Sequence, residues 1–400
     1  MNIFESALLG RIRVKNRLVR SATYEGMCTA DGVPTEHYRS LYERLAEKGC
    51  GTIITGFSYI SRQGRALQPF QAGIDRDELV PVYREVTDAV HHHGSMIFMQ
   101  LAHTGRQTRS RATGEPVVGI TKKHARYFRE KPRELSTAEL HRIGELFVEA
   151  ALRAEMAGFN GVQLHAAHGY LLHNLLLPSV NRRDDRYGIH APDDCGTALL
   201  DEIIDGIRNR SGDRFGILVK ISGGVDVGTF NETMFCNLVK KISNKDVDGI
   251  EVSYGTMEYA FNIFRSASLP LNEILDHDQV YHQKNKVLRL CWKMFAVPIL
   301  ALRLKRFSPG YNRHFSHLAK KHAKVPILSV GGFRSGQELS DVLVSGDADF
   351  VSLCRPFIAE PDFAEKLSDN PECHSVCTNC NRCVVTTGSA LPTVCRRKQN

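Results

Sequence analysis

Eight short apolar runs, rich in β-branched residues and separated by amphipathic stretches, constrain this chain more than any other feature of it. They fall at Arg17 to Ala22, Thr52 to Thr55, Met96 to Leu101, Gly161 to His165, Gly216 to Ile221, Gly249 to Ser253, Pro326 to Val330 and Asp349 to Leu353. Between them, stretches such as Asp77 to His93, Thr137 to Ala157, Ala198 to Asn209, Asn231 to Ser243, Asn312 to His322 and Gly336 to Ser345 repeat their apolar residues at helical spacing. Ser136 or Thr137 with Glu139 supplies a helix start, and Gly94, Gly158 and Gly346 fall where helices should stop before the next strand. Strand and helix in strict alternation demand parallel pairing. Eight such units predict a closed (β/α)8 TIM barrel, α/β in class, over residues 1–365. A doubly wound sheet shows the same alternation, but its early glycine-rich fingerprint is missing. Double glycines stand instead after the fifth run (Gly223, Gly224) and after the seventh (Gly331, Gly332), and the latter position is where barrels cradle phosphate.

In such a barrel the chemistry gathers just past the strand ends. Those positions hold Gln100 and Arg106 after strand three, His165, His168 and Tyr170 after strand four, Lys220 after strand five, and Gly331, Gly332, Cys354 and Arg355 after strands seven and eight. Each also has a plain structural reading. Gln100 can satisfy backbone groups, Lys220 can pair with a carboxylate at the barrel mouth, and Arg355 can cap a helix or bridge to Glu360. His165 can be a core-facing strand end, with His168 and Tyr170 as turn residues. His91, His92 and His93 close a predicted helix, where imidazoles suit the dipole, and receive no catalytic role.

The segments MQLAHTGRQ, QLHAAHGYLLHNLLLPSVNRRDDRYG, SVGGFRS and SLCRPFIAEPD, in that order, resemble the old yellow enzyme (NADH:flavin oxidoreductase) family, and most of all its branch with 2,4-dienoyl-CoA reductase and trimethylamine dehydrogenase. This resemblance implies FMN held by Ala22, Tyr24, Gln100, Lys220, Gly331, Gly332, Cys354 and Arg355. Gln100 would meet the pyrimidine edge, Lys220 the N1 and C2-carbonyl side, and Gly332 with Arg355 the phosphate. With NADH or NADPH as reductant, the implied activity is that of an ene-reductase. Hydride passes from flavin N5 to the activated double bond of an α,β-unsaturated carbonyl compound. His165 and His168 would bind the carbonyl oxygen, and Tyr170 would deliver the proton. The same branch leaves two other readings open, an amine-type dehydrogenase running oxidatively and an electron-transfer subunit of a multi-chain flavoprotein. Two departures from the family pattern stand out. Tyr24 takes a position where many relatives carry Cys or Thr, and the stretch Ile189 to Cys195 replaces the usual continuation after Arg186-Tyr187-Gly188.

Five of the eleven cysteines lie in the last 28 residues. Cys377, Cys380 and Cys383, followed by Cys395, have thiolate spacing that suits an iron-sulfur cluster, with a structural zinc as the competitor. The resemblance favours a [4Fe-4S] cluster in a cysteine-rich segment over 366–400, with Cys373 outside the spacing. In the multidomain relatives this segment leads into pyridine-nucleotide and FAD domains that the sequence to Asn400 does not carry. A cluster here is therefore expected to be structural, to be fed by a separate electron-transfer partner, or to have been lost while its cysteines remain.

A formal net charge of +8 is scattered through predicted helices, without a basic arm or aromatic stripe, which argues against nucleic acid and suits a phosphate-bearing small molecule. Charges interrupt the N-terminal segment every few residues, so neither a signal peptide nor a membrane span is expected there, and the expected location is the cytoplasm. A homo-oligomer remains open. A long insertion at about 254–325 includes the apolar run from Lys293 to Lys305. Pro298 breaks that run short of a bilayer span; its flanking cations would let it rest on a membrane surface, but a buried helix against the barrel is the favoured expectation.

Overall fold

In a computed structural model, which describes residues 2–191, 194–226, 228–266, 269–296 and 302–397, the eight runs form eight parallel strands. They are β1 (Leu18–Arg20), β2 (Thr52–Ile54), β3 (Met96–Ala102), β4 (Gly161–Ala166), β5 (Gly216–Ser222), β6 (Gly249–Ser253), β7 (Ile327–Val330) and β8 (Phe350–Leu353). Each pairs with its sequence neighbour, and β8 returns to β1 with Val351 opposite Leu18, so the sheet closes. This is the (β/α)8 barrel that the alternation predicts.

Outside it run α1 (Glu36–Glu47), α2 (Leu79–His92), α3 (Thr137–Met156), α4 (Ala198–Arg208), α5 (Glu232–Ser243), α6 (Arg313–His322), α7 (Gly336–Val344) and α8 (Phe363–Asp369). The Ser136 hydroxyl accepts from the Glu139 amide while the Glu139 carboxylate accepts from the Ser136 amide, and Ser335 with Glu338 repeats this box at α7. Gly94, Gly158 and Gly346 all adopt the left-handed conformation after their helices, as expected of helix-stopping glycines. α1 has a buried stripe of Tyr38, Tyr42, Leu45 and Ala46 in an otherwise charged stretch. Tyrosines supply half of that stripe, which is why a search for aliphatic periodicity passes over it.

Side chains alternate across each strand, and the inward set is layered. At the bottom, Val19, Ile54, Phe98, Leu218, Leu328 and Phe350 form one apolar cluster with Ala7, Leu9, Ile12 and Val14. Those last four belong to an antiparallel hairpin, Ala7–Leu9 with Ile12–Val14, that stoppers this end. A side chain at Gly161 would come 2.7 Å from the Phe98 ring and 2.2 Å from the Gly216 carbonyl, so close packing at the stopper requires glycine there. Fully burying each Leu or Phe of this layer contributes roughly 1.5–3 kcal/mol.

The connection from β6 to β7 is the longest, and it corrects one expectation. It carries helices Ala260–Phe264, Leu271–His277 and Lys286–Cys291, the last continuing as a wider turn over Trp292–Ala296. The described residues of the run from Lys293 to Lys305 do not pack as a buried helix. Met294 and Phe295 are 56% and 63% exposed, and Leu302 is 88% exposed, so no element among the described residues covers them; residues 297–301 lie outside the described residues, as do two of the Ile189 to Cys195 stretch. Among the described residues, no helix is long and apolar enough to cross a membrane.

Candidate functional site

Above the apolar layer the barrel interior turns polar. Gln163 on β4 and Glu251 on β6 are fully buried. The Gln100 amide donates to the Gln163 carbonyl oxygen at 2.7 Å, and Gln163 in turn donates to Glu251 at 3.0 Å. Lys220 Nζ closes the chain, 2.9 Å from Glu251 Oε2 and 2.9 Å from the Ser21 hydroxyl. A buried ammonium costs several kcal/mol of desolvation unless a counter-charge answers it, and Glu251 does so. The carboxylate partner considered for Lys220 is thus present, yet Lys220 also faces the space above. Strand parity could have found these partners, since Gln163 is two residues before His165 and Glu251 two before Ser253, on the same inward faces.

On this polar floor stands a cavity at the C-terminal strand ends. Its wall includes Ala22, Tyr24, Gln100, His165, His168, Tyr170, Lys220, Gly331, Gly332, Cys354 and Arg355, so residues from six strand ends converge as the barrel reading requires. Tyr24, the departure from the family pattern, turns its hydroxyl to the Pro69 carbonyl and leaves its ring on the wall.

His165, His168 and Tyr170 form one aromatic cluster. The His165 ring lies 5.0 Å from the His168 ring and 4.9 Å from that of Tyr170, both edge to face. His168 takes a left-handed backbone, φ 60°, that folds it back over the end of β4, with its Nε2 2.8 Å from the Ser253 hydroxyl. Burial first, then neighbouring positive charge including Lys220, holds both imidazoles well below the ordinary histidine range. Burial also pushes the Tyr170 phenol up, so it stays protonated. His165 Nδ1 and Ser352 Oγ are buried without a hydrogen-bond partner, and both residues line the cavity, which therefore retains unmet polar capacity for a ligand.

The double glycine after β7 is packed tightly. A side chain at Gly332 would come 2.8 Å from the Ser308 carbonyl, and one at Gly331 would come 2.8 Å from the Asn312 amide, so close approach by the protein's own chain already requires both glycines. Arg355 neither caps a helix nor meets Glu360, which is engaged by Lys366 and Ser375. It donates to the Asn381 side chain at 2.7 Å and to the Arg265 carbonyl at 3.0 Å. Sequence reasoning missed Asn381 and Arg265, both contributed by connections of irregular structure. His91 meets Asn160, away from the cavity, in keeping with its exclusion.

Arg355 also lines a second, smaller pocket together with Cys377, Cys380, Cys383 and Cys395. All four of these thiols line that pocket, and Cys373 does not. Burial raises Cys377 and pushes Cys383 up to about 12. Among the described residues, no three His, Cys, Asp or Glu side chains are placed to hold a single metal ion.

A parallel eight-strand barrel whose C-terminal mouth brings an amide, a lysine, a double glycine and an arginine to one cavity defines a class, the flavin-type oxidoreductase barrels. The family model described as "NADH:flavin oxidoreductase / NADH oxidase family" matches residues 2–286 and 303–373, and the chain belongs to that family. A "Metal reductase" of Desulforamulus reducens is 27% identical over 385 residues, covering 95% of this chain and 51% of that protein. An "NADPH dehydrogenase" of Geobacillus sp. is 28% identical over 363 residues, covering 90% of this chain and 91% of its own length. Among solved structures, the old yellow enzyme homologue from Zymomonas mobilis superposes with TM-score 0.71 at 25% identity, covering 95% of this chain and 96% of its own. The chain spans about half the length of several of the curated relatives it matches.

Proposed function

We propose that the chain binds FMN in the cavity at the C-terminal strand ends and acts as an NAD(P)H-dependent ene-reductase on an α,β-unsaturated carbonyl compound. One observation carries this reading: two neutral imidazoles and a protonated phenol are packed edge to face on the wall that also holds Gln100 and Lys220. The flavin, when bound, supplies two-electron chemistry, accepting reducing equivalents from NADH or NADPH and passing them to the activated double bond.

The rest is the work of this chain. Gln100 and Lys220 hold the ring's polar edge, with Lys220 fixed by Glu251 and Ser21 so that its charge needs no rearrangement. Ala22, Tyr24 and Cys354 complete the wall around the ring, and the backbone at Gly331 and Gly332 with Arg355 receives the phosphate. His165 and His168, kept neutral, offer N–H groups to the carbonyl oxygen, and these hydrogen bonds strengthen as negative charge grows there. Tyr170 carries the proton for the carbon opposite. Cys377, Cys380, Cys383 and Cys395 are the residues that would hold a [4Fe-4S] cluster, and they would have to draw together to do so, since no three of them are placed to hold one metal ion among the described residues.

Anaerobically purified protein is expected to show oxidised-flavin absorbance that bleaches with NADH or NADPH and returns with 2-cyclohexenone. Iron and acid-labile sulfide assays on the same sample test the cluster separately. Folded, colourless protein that refuses added FMN would overturn the whole reading; bleaching without recovery across a panel of enones would overturn only the ene-reductase part.

A further inference from the structure

The segment that the family's barrel does not need is the one with the most unusual surface. The family match breaks between 286 and 303. Within or beside that gap lie Val287, Leu288, Leu290, Met294, Phe295 and Leu302, six of the twelve large apolar side chains that are exposed among the described residues. Scattered exposed apolar residues mean little, but half of them concentrated on one short insertion form a patch that calls for a covering surface.

Charge identifies the cover. From 284 to 306 the sequence has seven Lys and Arg and no Asp or Glu. Lys284, Lys286, Lys293, Arg303 and Arg306 are exposed and enter no ion pair among the described residues, whereas Arg289 pairs with Asp276. The neighbouring loop adds more. Lys122, His124, Arg126, Arg129 and Lys131 ring an open hollow, again without a carboxylate partner among the described residues. The two regions are joined by an aromatic chain, in which Arg129 lies over the Tyr281 ring at 5.9 Å, Tyr281 packs against Trp292 at 5.3 Å and against Tyr127 at 5.6 Å, and Tyr127 donates to Asp278 at 2.6 Å. Trp292 therefore fixes the insertion to the cap of the main cavity, which Tyr127 lines.

We propose that this face, residues 284–296 and 302–306 with the basic hollow at 122–131, docks on an anionic lipid bilayer. Apolar side chains interspersed with long cationic ones are what an interfacial segment presents, burying the former at the acyl boundary and extending the latter to headgroup phosphates. A second copy of the chain is the poorer occupant. A two-fold contact would set cations against cations with no acid in the stretch to answer them.

The chain's lone tryptophan, Trp292, reports the event directly. The full-length protein is mixed with vesicles of phosphatidylcholine alone or with added phosphatidylglycerol, then followed by flotation and tryptophan emission. Expected are co-flotation and a blue shift with the anionic vesicles only, weakened by salt as the Debye length shrinks below about 10 Å. Leu290→Glu with Phe295→Glu should lower binding about tenfold or more, and so should Lys286→Glu with Lys293→Glu, since each pair removes one of the two attractions. All four positions are exposed, so flavin content and melting temperature should be unchanged. Absence of flotation, equal binding to neutral vesicles, or undiminished binding by both double variants would overturn the proposal. So would a lipid-free dimer that Phe295→Glu dissociates, because the face would then belong to a second copy.

Discussion

Lys220 and Glu251 sit 2.9 Å apart on neighbouring strands, each almost without solvent contact, and much of the site's behaviour follows from that pair. Glu251→Leu leaves an uncompensated ammonium in the barrel, and should destabilise the fold by about 3–5 kcal/mol in urea unfolding; the double variant Lys220→Met, Glu251→Leu should recover most of that loss. If the single variant unfolds at the wild-type midpoint, the ion pair does not carry the role given to it. Tyr170→Phe keeps the ring but deletes the hydroxyl proton, so enone turnover should fall by roughly 10²–10⁴ while bleaching of the flavin by NAD(P)H keeps its rate. Equal losses in both half-reactions would remove Tyr170 from the proton-donor role. The residues that line the cavity were legible because strand ends in a barrel are identifiable before any coordinates. Their supports were less so. Gln163 and Glu251 look like ordinary polar residues in apolar strands until parity places them inward, and Asn381 comes from a cysteine-rich turn with no periodicity to read.

Among the elements, agreement between sequence and structure follows the strength of the local signal. Strands stand out as β-branched runs, and α3 begins where Ser136 and Glu139 say it should. Ser136→Ala should cost about 1 kcal/mol of stability without altering flavin binding, since the cap lies on the outside of the barrel; a changed flavin content would contradict that separation. Two elements misled. α1 hides its buried face in tyrosines, and the stretch after Trp292 has the apolar residues of a core helix yet leaves Met294, Phe295 and Leu302 exposed. Apolar content alone does not distinguish a core from a face awaiting another surface. The seven cations around the run carried that information in the sequence.

The molecule as a whole stores several histidines in their neutral form. Burial lowers His103 to about 4 and His173 to about 3, and His165 and His168 shift the same way. Unfolded imidazoles take up protons near pH 6.5. Between that value and the lowered folded values the unfolded chain binds more protons, so each such histidine makes stability fall as the pH drops, by up to about 1.4 kcal/mol per pH unit. In His173→Gln the melting temperature should fall less steeply between pH 6.5 and 4 than in the wild type; parallel profiles would show that His173 titrates normally when folded.

The pairing of β8 with β1 sets an order of events during synthesis. After Leu18 leaves the ribosome, its partner Val351 emerges only once more than three hundred further residues have been made. Until then the first strand has an open edge and the hairpin stopper has no complete ring to seal, so the nascent chain must hold unsatisfied backbone and apolar surface for as long as the barrel is being made. A barrel closed in this way ripens late and all at once, and its dependence on holding chaperones should exceed that of a chain whose contacts are mostly local.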